Sequence, residues 1–157
     1  MTETMSIAKA ATVKAVDLGL PSGTLWADRN LGADAPEKSG GYFHCSDVSA
    51  DIQGKEWRTP TDEQIEELHV MCVISWEAVN GTDGVRLTGP NGNSIFLPLT
   101  GVRRKNGELA GTGKCSGIWS SSLMSKNTGR FLFIQHDLWD TDTCDCNFGF
   151  PIRPVLN

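Results

Sequence analysis

After Cys72 the spacing of apolar residues changes from a period of 3.6 to a period of 2, and the rest of the chain keeps to strand patterns. Val85 and Leu87 alternate with Arg86 and Thr88, the run GPNGN supplies a turn, and Ile95 and Leu97 alternate on the return. That order predicts a β-hairpin. Asn106 and Gly107 mark a second tight turn between Val102 and Leu109, with Arg103, Arg104 and Lys105 at its tip as a solvated run of like charge. Further strands are expected over residues 118–121, 131–135 and 148–155. Pro151 and Pro154 make the last of these an edge or a bulged strand, because proline cannot donate to a central ladder.

Helical signals are confined to the first half. Thr61 precedes DEQIEELHVMC, and Gln64 three residues on completes a capping box, with Asp62 and Glu63 at the positive end of the helix dipole. Ile65, Leu68 and Cys72 then form one apolar stripe, and His69 beside it reads as a partly buried core residue. A second, shorter helix is expected at Asp34, Pro36 and Glu37, running into Gly40 and Gly41. Residues 13–18 read as a strand, stopped by Pro21, Ser22 and Gly23 and resumed over 24–27. The chain of 157 residues suits one α+β domain over 13–157 behind a flexible segment 1–12.

Composition removes several classes of function. With 14 Lys+Arg against 19 Asp+Glu, the net charge of -5 offers no basic field for phosphates, so no nucleic acid partner is expected. No apolar run approaches the roughly 18 residues of a membrane span. The opening residues contain no unbroken apolar stretch of the kind a signal peptide needs.

Five cysteines, at 45, 72, 115, 144 and 146, form no even framework, and a mostly reduced set is the favoured reading. Zinc held by His44, Cys45, Cys144 and Cys146 is disfavoured because no CxxC pair at knuckle spacing is present. Asp140, Asp142 and Asp145 lack the glycine that a calcium loop needs for its sharp turn, so the expectation is a solvated acidic loop and no metal or cofactor. Enzyme motifs are equally weak. Cys144 or Cys146 with His136 is the one nucleophile and base pair that can be imagined, and no enzyme is expected.

Several segments taken together, VDLGLPSGTLWA, WRTPTDEQIEEL, GVRLTGPNGNSIFLPLTG, GIWSSS over 117–122 and GFPIRPV over 149–155, closely resemble the fibrobacter succinogenes major paralogous domain family. The resemblance runs in order from Val16 to Val155. It implies a C-type lectin-like fold, with two short helices flanking a twisted antiparallel sheet and the N- and C-terminal strands paired. It also implies that Trp26, Trp57 and Trp119 pack in the core with their indole N–H groups on backbone partners, and that Arg153 pairs with a carboxylate of the frame.

Members of that family serve as variable proteins of diversity-generating retroelements, in which adenine-directed errors randomise a C-terminal surface while the frame is kept. Between the two frames this chain has a segment of irregular composition, 123–147. It departs from the tyrosine- and asparagine-rich family pattern, since the chain holds a single tyrosine, Tyr42. Asparagine codons altered at adenines would yield residues such as those at Leu123, Thr128, His136, Leu138, Thr141, Asp142, Cys144, Asp145, Cys146 and Phe148. They would not yield Lys126, Gln135 or Trp139, which are assigned to the scaffold or its fixed contacts. The expected ligand-binding surface comprises Ile118, Leu123, Ser125, Thr128, Arg130, His136, Leu138, Trp139, Asp140, Thr141, Asp142, Asp145, Asn147 and Phe148. Trp139 among Thr and Asp residues supplies either an amphipathic anchor for a partner or an inward packing residue. The expected partner is a protein or a cell-surface ligand, met by a monomer at a cell surface or on a phage particle. A static adhesive or structural domain is the alternative.

Overall fold

The computed structural model describes residues 13–47, 57–136 and 138–156. The expected flexible segment 1–12 lies outside the described residues, as does Asp137. The described residues form eleven strands, one α-helix and a short 3-10 turn at Cys45–Asp47. The strands are β1 (Ala15–Asp17), β2 (Leu25–Ala27), β3 (Val73–Val79), β4 (Thr82–Thr88), β5 (Ser94–Pro98), β6 (Val102–Arg103), β7 (Leu109–Ala110), β8 (Cys115–Ser125), β9 (Thr128–Gln135), β10 (Leu138–Asp145) and β11 (Val155–Leu156); the helix is α1 (Asp62–Met71). They make four small antiparallel sheets, ordered β1-β2-β11, β3-β4-β5, β10-β9-β8 and β6-β7.

This overturns the expectation of an α+β, C-type lectin-like arrangement with two helices flanking one sheet. The described residues are built mainly of strands in four sheets, with one α-helix, and a C-type lectin fold is not shown. The helix expected at Asp34, Pro36 and Glu37 is a run of bends and turns. Four residues cannot repay the nucleation of a helix without an apolar stripe to dock. The chain instead doubles back: Gly41 N donates to Leu31 O at 3.0 Å, and Gly40, at φ +70, lies so close that a Cβ there would stand 2.4 Å from that same oxygen. The strand expected over 148–155 shrinks to β11 with isolated bridges at Gly149 and Phe150. Pro151 and Pro154 cannot donate, yet their carbonyls accept from Trp119 N and Ala27 N. The C-terminal strand meets β2, the middle strand of its sheet, and not the N-terminal β1.

The α1 capping box forms as its residues dictate. Gln64 N donates to Thr61 Oγ1 at 3.1 Å and Thr61 N donates to Gln64 Oε1 at 2.8 Å, while Gln64 Nε2 donates onward to Thr24 Oγ1. Ile65 and Leu68 are fully buried beneath it.

Alternation along β9 creates two cores. Leu132 and Ile134 join Ile118, Leu68, Leu87, Leu97 and Trp26 on one face, whereas Phe131 joins Trp119, Phe150 and Ile152 on the other. Each such side chain contributes about 1.5–3 kcal/mol by leaving water. Trp119 Nε1 donates to Phe43 O at 2.6 Å; Trp26 packs in the core as expected, but its buried Nε1 has no hydrogen-bond partner among the described residues, and Trp57 is only half-buried, which corrects those two expectations. Arg153 also differs from expectation. Its guanidinium is fully buried and donates to Asn30 Oδ1, Ala27 O and Phe96 O, none of them a carboxylate. Burial pushes its pKa down to about 9, and the nearby Asp28 charge acts in the opposite sense.

Candidate recognition surface

The segment expected to be an acidic loop is a strand. Leu138–Asp145 forms β10, in register with β9 from Leu138↔Gln135 to Asp145↔Thr128. Aspartate is poorly represented in strands, so composition argues against this assignment; the pairing is secured from the core side. Trp139 lies opposite Ile134 and Thr141 opposite Leu132, both of which are buried, and Trp139 itself packs half-buried against the main core.

Alternation then divides the candidate residues. Leu138, Asp140 and Asp142 are exposed, whereas Trp139 and Thr141 turn toward α1 and are half-buried. Trp139 meets the His69 ring edge to face, with centroids 4.6 Å apart, and its carbonyl oxygen lies 2.9 Å from His69 Nε2. It is therefore an internal packing residue in this structure. Lys126 and Gln135, assigned with it to the scaffold, are exposed. Ile118 is only 2% exposed within the main core and is not available to a partner, because its strand neighbour Leu132 shares the buried face.

At one end of the sheet stand His136 and Leu138, with the His136 ring 5.6 Å from that of Trp76. At the other end are Leu123, Ser125, Thr128, Asp145, Asn147 and Phe148. There the Ser125 and Thr128 hydroxyls share a hydrogen bond across the turn, and Asn147 N donates to Asp145 Oδ1. At about 3.3 Å per residue, the eight residues of β10 hold these two groups ~20 Å apart. The structure spreads the candidates over the three strands β8, β9 and β10 and the turns at their ends, not around one pocket. Arg130 Nε sits 2.9 Å from Asp62 Oδ1, so Arg130 joins the hairpin to the start of α1, and the carboxylate raises its pKa.

Lys105, part of the solvated run of like charge, also makes specific contacts. Its Nζ lies 3.0 Å from Asp145 Oδ2 and 5.6 Å from the Phe148 ring centre. The Asn147 N–H bond, followed by Lys105, holds the Asp145 carboxyl below its usual pKa. Nothing in the sequence places residue 105 against residue 145, because the β6–β7 turn meets the end of β10 only in the folded chain, where Arg103 bridges to Gly149.

One pair departs from the mostly reduced set: Cys45 and Cys146 form a disulfide, with Cα atoms 4.6 Å apart. Gly129 makes room for it, since a Cβ there would meet Cys45 Cβ and Sγ at 2.8 Å. Cys72, Cys115 and Cys144 are free. The bridge ties up two of the four zinc ligands considered. Cys144 lies opposite Gly129, six residues along β10 from Leu138 and thus ~20 Å from the His136 turn. Burial, helped by the Asp145 and Asp142 charges, raises the Cys144 thiol pKa against a lowering backbone hydrogen bond from Asp145, which disfavours the nucleophilic thiolate. Asp140 and Asp142 accept from Thr141 N and Thr143 N at 2.8 Å, so the aspartates bind their own strand and do not converge on a cation. Among the described residues no group of three or more His, Cys, Asp or Glu is placed to hold a metal, and no helix is long and apolar enough to cross a membrane.

No protein-family model, no curated protein and no solved structure matches this chain.

Proposed function

We propose that this is a non-enzymatic recognition domain in which the β8–β10 sheet presents a variable surface to a protein or a cell-surface ligand. The observation that carries the reading is β10. It is an edge strand with exposed side chains at Leu138, Asp140 and Asp142, fastened at one end through Trp139 and His69 and beyond the other through Cys146 and Cys45. Side chains on such a strand can change while its backbone stays in place. Leu123, Ser125 and Asn147 extend the same surface around the hairpin turn. A disulfide suits an oxidising environment, which supports display outside the cytosol.

The diversity-generating retroelement reading follows from the resemblance of the two frames and is tested at the DNA. A reverse transcriptase gene near the source locus, with a second, adenine-rich copy of the region coding for residues 117–155, is the expected result. A locus with neither sinks it. A static adhesive or structural domain is the second reading, favoured by the packing of Trp139 on α1. Identical residues over 123–147 in independent isolates would select it.

A further inference from the structure

The β3-β4-β5 and β10-β9-β8 sheets come together beside the turn that follows β9. Ile74, Trp76 and Ala78 share one face of β3, opposite Leu87, Val85 and Asp83. Ile74, Val85 and Leu87 belong to the main core, but Trp76 stands on the edge strand of its sheet and is 36% exposed. Its ring meets the His136 ring with centroids 5.6 Å apart and planes inclined by 60°. A cleft of about 330 Å³ opens there, lined by Trp76, Glu77, Asp83, Leu99, Gly113 and His136.

Two features of the cleft point to one ligand chemistry. Trp76 contributes the ring with the strongest quadrupole, which attracts cations. Asp83 stands diagonally across the β3–β4 pair from Trp76, a spacing within reach of long side chains. Glu77 is already matched by Arg86, whose Nε lies 2.7 Å from Glu77 Oε1. Asp83 is exposed, and none of the ion pairs among the described residues includes it. An aromatic face and an unmatched carboxylate within one small cleft suit a planar cation, which can stack on the ring while its N–H groups meet the carboxylate.

We propose that the Trp76–Asp83–His136 cleft binds an arginine side chain of a partner protein. The site deepens the recognition reading and draws on it only for His136; the titration below and the locus sequencing can fail independently. The experiment is an NMR titration of the ¹⁵N-labelled full chain with N-acetyl-arginine amide, followed through the Trp76 indole N–H and the amides of Asp83 and Gly113. The indole signal is assigned by its loss in Trp76→Phe.

A saturable shift of these signals at millimolar ligand is expected, at least threefold weaker in Asp83→Asn, with no comparable shift from the uncharged citrulline analogue. Trp76→Phe keeps a ring and should retain weakened binding at Asp83 and Gly113, whereas Trp76→Leu should lose it. The spread of the remaining amide signals reports that each variant is folded. Equal shifts with citrulline, no saturable shift, or an Asp83→Asn variant that binds as well as the parent would overturn the proposal. A response to tetramethylammonium as strong as that to the arginine amide would overturn the guanidinium assignment, because a quaternary ammonium cannot donate to Asp83.

Discussion

His69 Nε2 stands 2.9 Å from the carbonyl oxygen of Trp139, and the two rings meet edge to face. A carbonyl can only accept, so His69 donates from Nε2, and its buried Nδ1 is left without a hydrogen-bond partner among the described residues. This contact fastens α1 to the edge strand. Trp139→Ala should cost about 2–3 kcal/mol, less than a fully buried tryptophan because Trp139 is half-buried. A double-mutant cycle with His69→Ala, read by urea unfolding, should give a coupling of about 1 kcal/mol. Additive single effects would show that the contact is incidental.

The disulfide between Cys45 and Cys146 spans 101 residues of sequence. Loop closure over such a length restricts the unfolded chain by about 4–5 kcal/mol in the chain-entropy model. Reductant, or Cys45→Ala with Cys146→Ala, should lower Tm by many degrees, while Cys144→Ser should leave the response to reductant intact. A melting curve indifferent to reductant would mean that the bridge contributes nothing.

Arg153 satisfies three acceptors that no solvent reaches, and Arg153→Met removes all three donors at once. The expected loss is about 3–5 kcal/mol, because each buried acceptor is left without a partner. Arg153→Lys should recover only a fraction, since one ammonium cannot span the positions of a planar fork. Chemical denaturation of the two variants distinguishes donor geometry from charge alone.

Asp28 makes the protein sensitive to acid. Burial raises its pKa, but the bonds from Arg29 and from Lys14 N, with the charges of Arg29 and Arg153, outweigh that and hold the carboxyl below its ordinary value. A folded pKa below the unfolded one means that the stabilisation is present above the unfolded value of about 3.9 and is lost as pH falls through the folded one. Asp28→Asn should lower stability at pH 7 and flatten its decline below about pH 4. Urea midpoints over a pH series would read both effects.

The Asp140 and Asp142 carboxylates occupy the N–H groups of Thr141 and Thr143 on an edge strand that another chain could otherwise extend. Asp140→Ala with Asp142→Ala should change stability by no more than about 0.5 kcal/mol. Self-association should rise with concentration in light scattering. A double variant as dispersed as the parent would show that the edge is protected in some other way.

Much of the local structure was legible. The alternation of Val85, Leu87, Ile95 and Leu97 about GPNGN becomes β4 and β5, and Thr61 with Gln64 caps α1 as written, because each depends on residues a few positions apart. The strand at β3 was not foreseen. Its VISWEAV run carries no clean alternation, and its register comes from pairing with β4. The segment between the frames holds exposed residues, whereas Ile118, expected on that surface, is buried, and Trp139, open to either an anchoring or an inward role, packs inward.

By itself the sequence determined the turns, the helix cap and the period of the central hairpin, all set by short-range backbone and hydrogen-bond preferences. Tertiary structure alone decided that an aspartate-rich run is a strand, that Cys45 meets Cys146, that Arg153 is buried on carbonyls and an amide, and that Lys105 reaches Asp145. The last three join residues distant along the chain, and β10, though paired with its neighbour β9, is fastened by Trp139 on His69 across 70 residues; these contacts follow from closing two cores on opposite faces of β9, which no local pattern encodes.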